Sequence, residues 1–156
     1  MKLRRGARTI ALQALYEIDI ARHPVETVLT QRLLEASLPQ PGDAFTRQLV
    51  TGVVKHKEML DSWIARHAPE RPVTELAVID RNILRIALLE LAGGSDAPVK
   101  VIINEAVELA KRFGSDSSAR FINGVLGVFV EAGTWPRLTS TSLDADALLV
   151  PTGTSG

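Results

Sequence analysis

Apolar residues recur every three or four positions along most of the chain. From residue 7 to 20 the apolar positions Ala7, Ala11, Ala14, Leu15 and Ile18 keep a helical period. Pro24 suits the first turn of a second helix, which the pattern carries to about Ser37. Pro39, Pro41 and Gly42 predict a break, and Asp43 is placed to cap a third helix with Phe45, Leu49, Val53 and Val54 on one face. The period runs on through Leu60 and Ile64 to about His67, with room for a kink, until Pro69 and Pro72 interrupt it. Residues 76–91 form the most apolar stretch, interrupted only by Asp80, Arg81, Asn82, Arg85 and Glu90. A helix apolar on most sides is usually central, so both halves of the chain are expected to pack on this one.

Gly93 and Gly94 predict its end. Pro98 precedes a helix from Val99 to Phe113 closed by Gly114, and Ser115 or Asp116 is placed to cap a last helix ending near Ala132, before Gly133. Residues 99–103 are the nearest approach to a strand, but they lead directly into the helical pattern of 104–110. The expected class is all-α. Residues 134–156 differ: eight of these 23 are Ser or Thr, and Pro and Gly recur. They read as a mostly disordered tail, with Ala147 to Val150 able to dock as one short apolar turn, so that residues 1–133 form the helical domain.

Composition supports this reading. At 46% apolar the chain can bury a core, and with 4% aromatic residues that core rests on Leu, Ala, Val and Ile. The absence of cysteine excludes disulfides and thiolate metal sites. No apolar run approaches the roughly 20 residues of a membrane helix, and no apolar segment with a cleavage site follows the basic start as a secretory signal requires.

The net charge of zero conceals an asymmetry. Lys2, Arg4, Arg5 and Arg8 precede the first acid, Glu17; without them 14 basic residues face 18 acidic ones, a net of −4. Positive charge focused at one end suggests an anionic partner, although a solvated terminus would look the same. Arg4, Arg5 and Arg8 share one helical face, and arginine forks bind phosphate bidentately and stack on bases. A short cluster of this kind can order on meeting RNA.

Catalytic patterns are missing. There is no Gly-rich loop ending in Gly-Lys-Ser/Thr and no Gly-x-Ser-x-Gly elbow. His23, His56 and His67 lack the short spacing of a helical metal site, and the last two read as surface histidines. Glu105 and Glu108, one turn apart near a helix start, read as ordinary helix-face acids rather than as an acid–base pair. No catalytic residue, metal or cofactor is expected.

Four blocks in a fixed order carry a resemblance. They are Arg4-Arg5-Gly6-Ala7-Arg8 with Ala11-Leu12-Gln13-Ala14-Leu15-Tyr16; then residues 79–91, Ile-Asp-Arg-Asn-Ile-Leu-Arg-Ile-Ala-Leu-Leu-Glu-Leu; then 101–111, Val-Ile-Ile-Asn-Glu-Ala-Val-Glu-Leu-Ala-Lys; and Arg120-Phe121-Ile122-Asn123-Gly124-Val125-Leu126. Together they span roughly residues 4 to 130, and the ordered set resembles the NusB family of bacterial transcription antitermination factors.

The resemblance implies about seven helices in two small packed bundles. It implies cytoplasmic action, with no membrane, and a partner, the small-subunit ribosomal protein NusE. With that partner such a protein grips single-stranded boxA RNA and helps RNA polymerase, with other Nus factors, read through terminators, notably in ribosomal RNA operons. The family's basic start carries over to Lys2, Arg4, Arg5 and Arg8, and its RNA-contacting aromatic to Phe121. Its partner contacts carry over to Tyr16 and Asp80, and less directly to Glu75. The alternatives are ordinary: core packing for Tyr16 and Phe121, and an exposed charge for Asp80. Gly6 stands where many members have another basic residue, which predicts weaker RNA binding through this segment. Three or four neutralised phosphates would give a single-strand salt slope of about −2 to −3. A homodimer is also compatible with the resemblance, and the sequence does not decide between monomer and dimer. The same fold opens certain RNA cytosine methyltransferases, but that chemistry needs a methyl-donor domain and a nucleophilic cysteine, and these 156 residues contain no cysteine.

Overall fold

The computed structural model describes residues 2–133, and within them seven α-helices and no strand. The expected tail, including the short turn at Ala147 to Val150, lies outside the described residues.

The helices are α1 (Lys2–Ala21), α2 (Val25–Ala36), α3 (Gln40–Lys55), α4 (Lys57–His67), α5 (Val78–Leu89), α6 (Val99–Phe113) and α7 (Ser118–Ala132). A 3₁₀ turn, Val73–Glu75, precedes α5, and a wider π turn, Glu90–Gly94, follows it. Helices α1, α2 and α3 pack as one bundle and α4 to α7 as a second. The expected central helix is α5: it touches α1, α3, α4, α6 and α7. Gly52 of α3 permits that closeness, because a Cβ there would stand 2.7 Å from Leu89 Cδ2. Leu12, Leu29 and Leu49 fill the first bundle, and Leu84, Leu88, Leu126 and Phe129 the second.

Two helix starts and one helix end differ from expectation. Helix α3 begins at Gln40, so Pro41 and Gly42 lie inside its first turn rather than in a break. Proline is tolerated there because its missing N–H has no intrahelical acceptor to meet. Asp43 therefore does not cap; its N–H donates to the Pro39 carbonyl at 3.0 Å, and its carboxylate sits in the first turn, where the helix dipole favours it. In α7 neither Ser115 nor Asp116 caps. The buried Ser118 instead accepts the Ser115 N–H at 2.9 Å. Finally, α5 ends at Leu89, and the chain leaves it through Gly93, whose φ of 114° is open to glycine at little cost.

The histidines are also less superficial than expected. His67 is half-buried, donates its Nδ1–H to the Trp63 carbonyl at 2.9 Å, and meets Phe129 edge-on at 5.2 Å. Burial, aided by Lys55, pushes the His56 imidazole below its usual pKa.

The polar residues that interrupt α5 act as cross-links. Arg81 donates two hydrogen bonds to Asp19 of α1, at 2.9 and 2.8 Å, and Asn82 adds a third at 2.9 Å. Arg85, one turn on, grips Asp61 of α4 at 2.7 and 2.9 Å and reaches Asp19 at 3.1 Å. Burial disfavours charge on Asp19, but the bonds from Arg81 and Asn82 and the two guanidinium charges outweigh it, holding the carboxyl well below the usual range.

Candidate nucleic-acid and partner interface

Helix α1 begins at Lys2, so the basic cluster is a formed helical turn rather than an arm that orders only on RNA. Each arginine in it already holds a carboxylate from the other half of the chain. Arg4 donates to Asp96 at 2.7 Å, with its guanidinium 4.7 Å from the centre of the Phe45 ring. Arg5 grips Glu105 through two bonds, at 3.1 and 2.7 Å. The Arg5 bond and charge hold the Glu105 carboxyl below its usual pKa despite its burial. Arg8 grips Glu90 at 2.7 and 2.8 Å, and Ser95 donates to the same carboxylate at 2.7 Å.

These pairs differ in exposure, and exposure decides availability. The side chain of Arg5 is 54% exposed and that of Arg4 41%, whereas that of Arg8 is 5% exposed. Arg8 forms a structural clamp: its fork is filled by Glu90 and closed from solvent. Lys2 is exposed. Phe121, in the first turn of α7, is half-buried against the core and leaves part of its ring accessible. It stands on a different helix from the basic turn.

Tyr16 and Asp80 come together. They line a hollow of about 250 Å³ with the first turn of α5 and the α6–α7 junction around Phe113, Ser115 and Ser118. Tyr16 is 39% exposed, and Asp80 is buried rather than an exposed charge. Among the described residues Asp80 Oδ1 has no hydrogen-bond partner. A buried carboxylate oxygen without a donor is costly, and a donor supplied by a docking partner would satisfy it. Glu75 is exposed on the 3₁₀ turn and does not line this hollow. A second hollow, about 420 Å³, lies over Asp19, Asn82 and Arg85, whose polar groups the helix cross-links already occupy.

The sequence model of the NusB family matches residues 5–131. The chain belongs to the NusB family. It is 53% identical over 123 residues to the transcription antitermination protein NusB of Dehalococcoides mccartyi, a match covering 79% of this chain and 86% of the relative. The fold matches a solved NusB of T. maritima with a TM-score of 0.77 and 32% identity, over 82% of this chain and 90% of that one. A chain from a crystal structure of antitermination factors NusB and NusE in complex with double-stranded RNA matches with a TM-score of 0.78 and 26% identity, over 85% and 98%.

Within this NusB fold, sequence reasoning missed the acids that hold the arginines. Glu105 reads as a helix-face acid but is buried, and nothing local identifies the partners of Glu90 and Asp96, which lie 82 and 92 residues away. The one available hint was the presence of charges on the otherwise apolar α5, since a buried charge needs a partner. Among the described residues no group of acids and histidines could hold a metal ion, and no helix is long and apolar enough to cross a membrane.

Proposed function

We propose that this chain is a transcription antitermination factor that acts in the cytoplasm by binding, without catalysis. Its ligands are single-stranded boxA-type RNA and the ribosomal protein NusE. With other Nus factors it helps RNA polymerase read through terminators, notably in ribosomal RNA operons. The RNA-binding unit is the helical body within residues 1–133. The observation that carries this reading is the exposed turn of Lys2, Arg4 and Arg5 at the start of the helix that also carries Tyr16. The relative crystallised with NusE and double-stranded RNA supports both partner classes.

Lys2, Arg4 and Arg5 contact phosphates, which positions RNA without reading its sequence. Phe121 offers a face on which a base stacks. Tyr16 and Asp80 receive NusE, with Glu75 at the margin. Because Arg4 and Arg5 must exchange Asp96 and Glu105 for phosphate, binding by the chain alone is weak, and NusE strengthens it by adding contacts of its own.

The test is the salt dependence of binding to a boxA-type RNA oligonucleotide. Three phosphates neutralised by α1 alone give a slope of about −2 for single-stranded RNA. A slope near zero contradicts the phosphate grip. Preference for a duplex of the same sequence over the single strand contradicts the single-stranded reading.

A further inference from the structure

Lys2, Arg5, Thr9, Gln13 and Tyr16 follow one stripe along α1, each exposed or half-buried. The stripe begins in the basic turn and ends at the Tyr16–Asp80 hollow. One cation from another helix joins it midway. Arg112, in the last turn of α6, donates to Thr9 Oγ at 3.2 Å, and Thr9 in turn donates to the Arg5 carbonyl at 3.1 Å. The Arg112 guanidinium lies 4.9 Å from the centre of the Phe113 ring, and Phe113 lines the hollow. Arg112 thus stands about one helical turn from Arg5 and roughly 10 Å along α1 from Tyr16.

Its electrostatic state differs from that of its neighbours. Arg4, Arg5 and Arg8 each hold a carboxylate. Arg112 is exposed, and its charge reaches the Glu105 carboxyl that Arg5 grips, but among the described residues no carboxylate lies within ion-pair distance of it; its hydrogen-bond partner is a neutral hydroxyl. A guanidinium set by a hydroxyl and a ring face, with donors left for solvent, is prepared for an anion and need not exchange an internal one.

We propose that Arg112 is an additional RNA-phosphate contact that joins the basic start of α1 to the partner hollow, so that RNA runs along the α1–α6 seam toward the bound protein. This rests on the RNA-binding reading above. Arg112 also returns to this surface the positive charge that Gly6 leaves out, from a different helix.

The experiment is fluorescence-anisotropy titration of a labelled boxA-type RNA oligonucleotide against the full chain at several salt concentrations, for wild type, Arg112→Gln, Arg112→Lys, Arg5→Gln and Lys111→Gln. Four contacts give wild type a slope of about −2.8 and three give Arg112→Gln about −2.1, with binding weaker by about fivefold at 0.1 M salt. Arg112→Lys keeps the charge and the wild-type slope, which a purely structural role would not require. Lys111→Gln, a residue paired with Glu108, leaves the slope unchanged. If Arg5→Gln lowers the slope and Arg112→Gln does not, the inference fails and the α1 grip stands. If wild type itself shows no salt dependence, the grip fails and Arg112 with it.

Discussion

Arg8 and Glu90 meet through two hydrogen bonds of 2.7 and 2.8 Å in the interior, joining the start of α1 to the turn that leaves α5. Both side chains are almost fully closed from solvent, at 5% and 2% exposed. The pair fixes where the basic turn sits relative to the second bundle.

Removing one member of such a pair leaves a buried charge without its partner. Glu90→Gln is expected to destabilise the fold by about 3–5 kcal/mol in urea unfolding. Replacing both, as Arg8→Met with Glu90→Leu, should recover most of that loss, since well-packed apolar residues often match a buried ion pair. A single variant as stable as wild type would show that the pair is not closed from water.

The Asp19 cross-link makes stability depend on pH. Its carboxyl is held well below the usual range in the folded state by Arg81, Asn82 and Arg85, against the opposing effect of burial. A depressed folded pKa means the unfolded chain takes up a proton first as pH falls. The contribution is therefore complete above the ordinary carboxylate pKa of about 3.9 and is lost as pH drops below it. Thermal unfolding of wild type between pH 6 and pH 3 should fall more steeply than that of Asp19→Asn, which starts lower. Parallel profiles would contradict the assignment.

The exposed pair of Arg4 and Asp96 sets up a competition between carboxylate and phosphate. Asp96→Asn releases the Arg4 fork and removes a negative charge from the proposed RNA-facing surface. RNA binding is expected to tighten a few-fold at low salt, with no change in unfolding temperature beyond that of an exposed pair. Weaker binding would mean that Asp96 orients Arg4 productively instead of competing for it.

In the proposed reading Asp80 serves partner binding rather than folding. Its unpartnered buried oxygen gives the isolated chain little reason to keep the carboxylate. Asp80→Ala should leave stability unchanged or raised while weakening NusE binding about tenfold or more in calorimetry, as loss of a buried charge-assisted contact does. A large stability loss would show that Asp80 serves the fold.

How far the sequence was legible follows from which contacts are local. The bounds of α6, Val99–Phe113, were readable because Pro98, an apolar period and Gly114 all lie in adjacent sequence. The central role of α5 was readable from its apolarity. The start of α3 was not, because Pro41 and Gly42 act as breakers in mid-helix and as permitted residues in a first turn, and their type alone does not distinguish the two. At the candidate interface the basic residues were evident, but Arg8 could not be told from Arg5: both are arginines on one face, and only the packing of α5 and α6 buries one and exposes the other. Arg112 gave no signal because its place beside Thr9 depends on how two distant helices meet.

The most direct test is binding of boxA-type RNA with and without purified NusE, comparing wild type with Arg4→Ala/Arg5→Ala; Arg8 is left intact because it tests folding. Binding is expected to tighten in the presence of NusE and to be lost in the double variant. Binding that neither the partner nor the two arginines alters would contradict a shared grip on RNA.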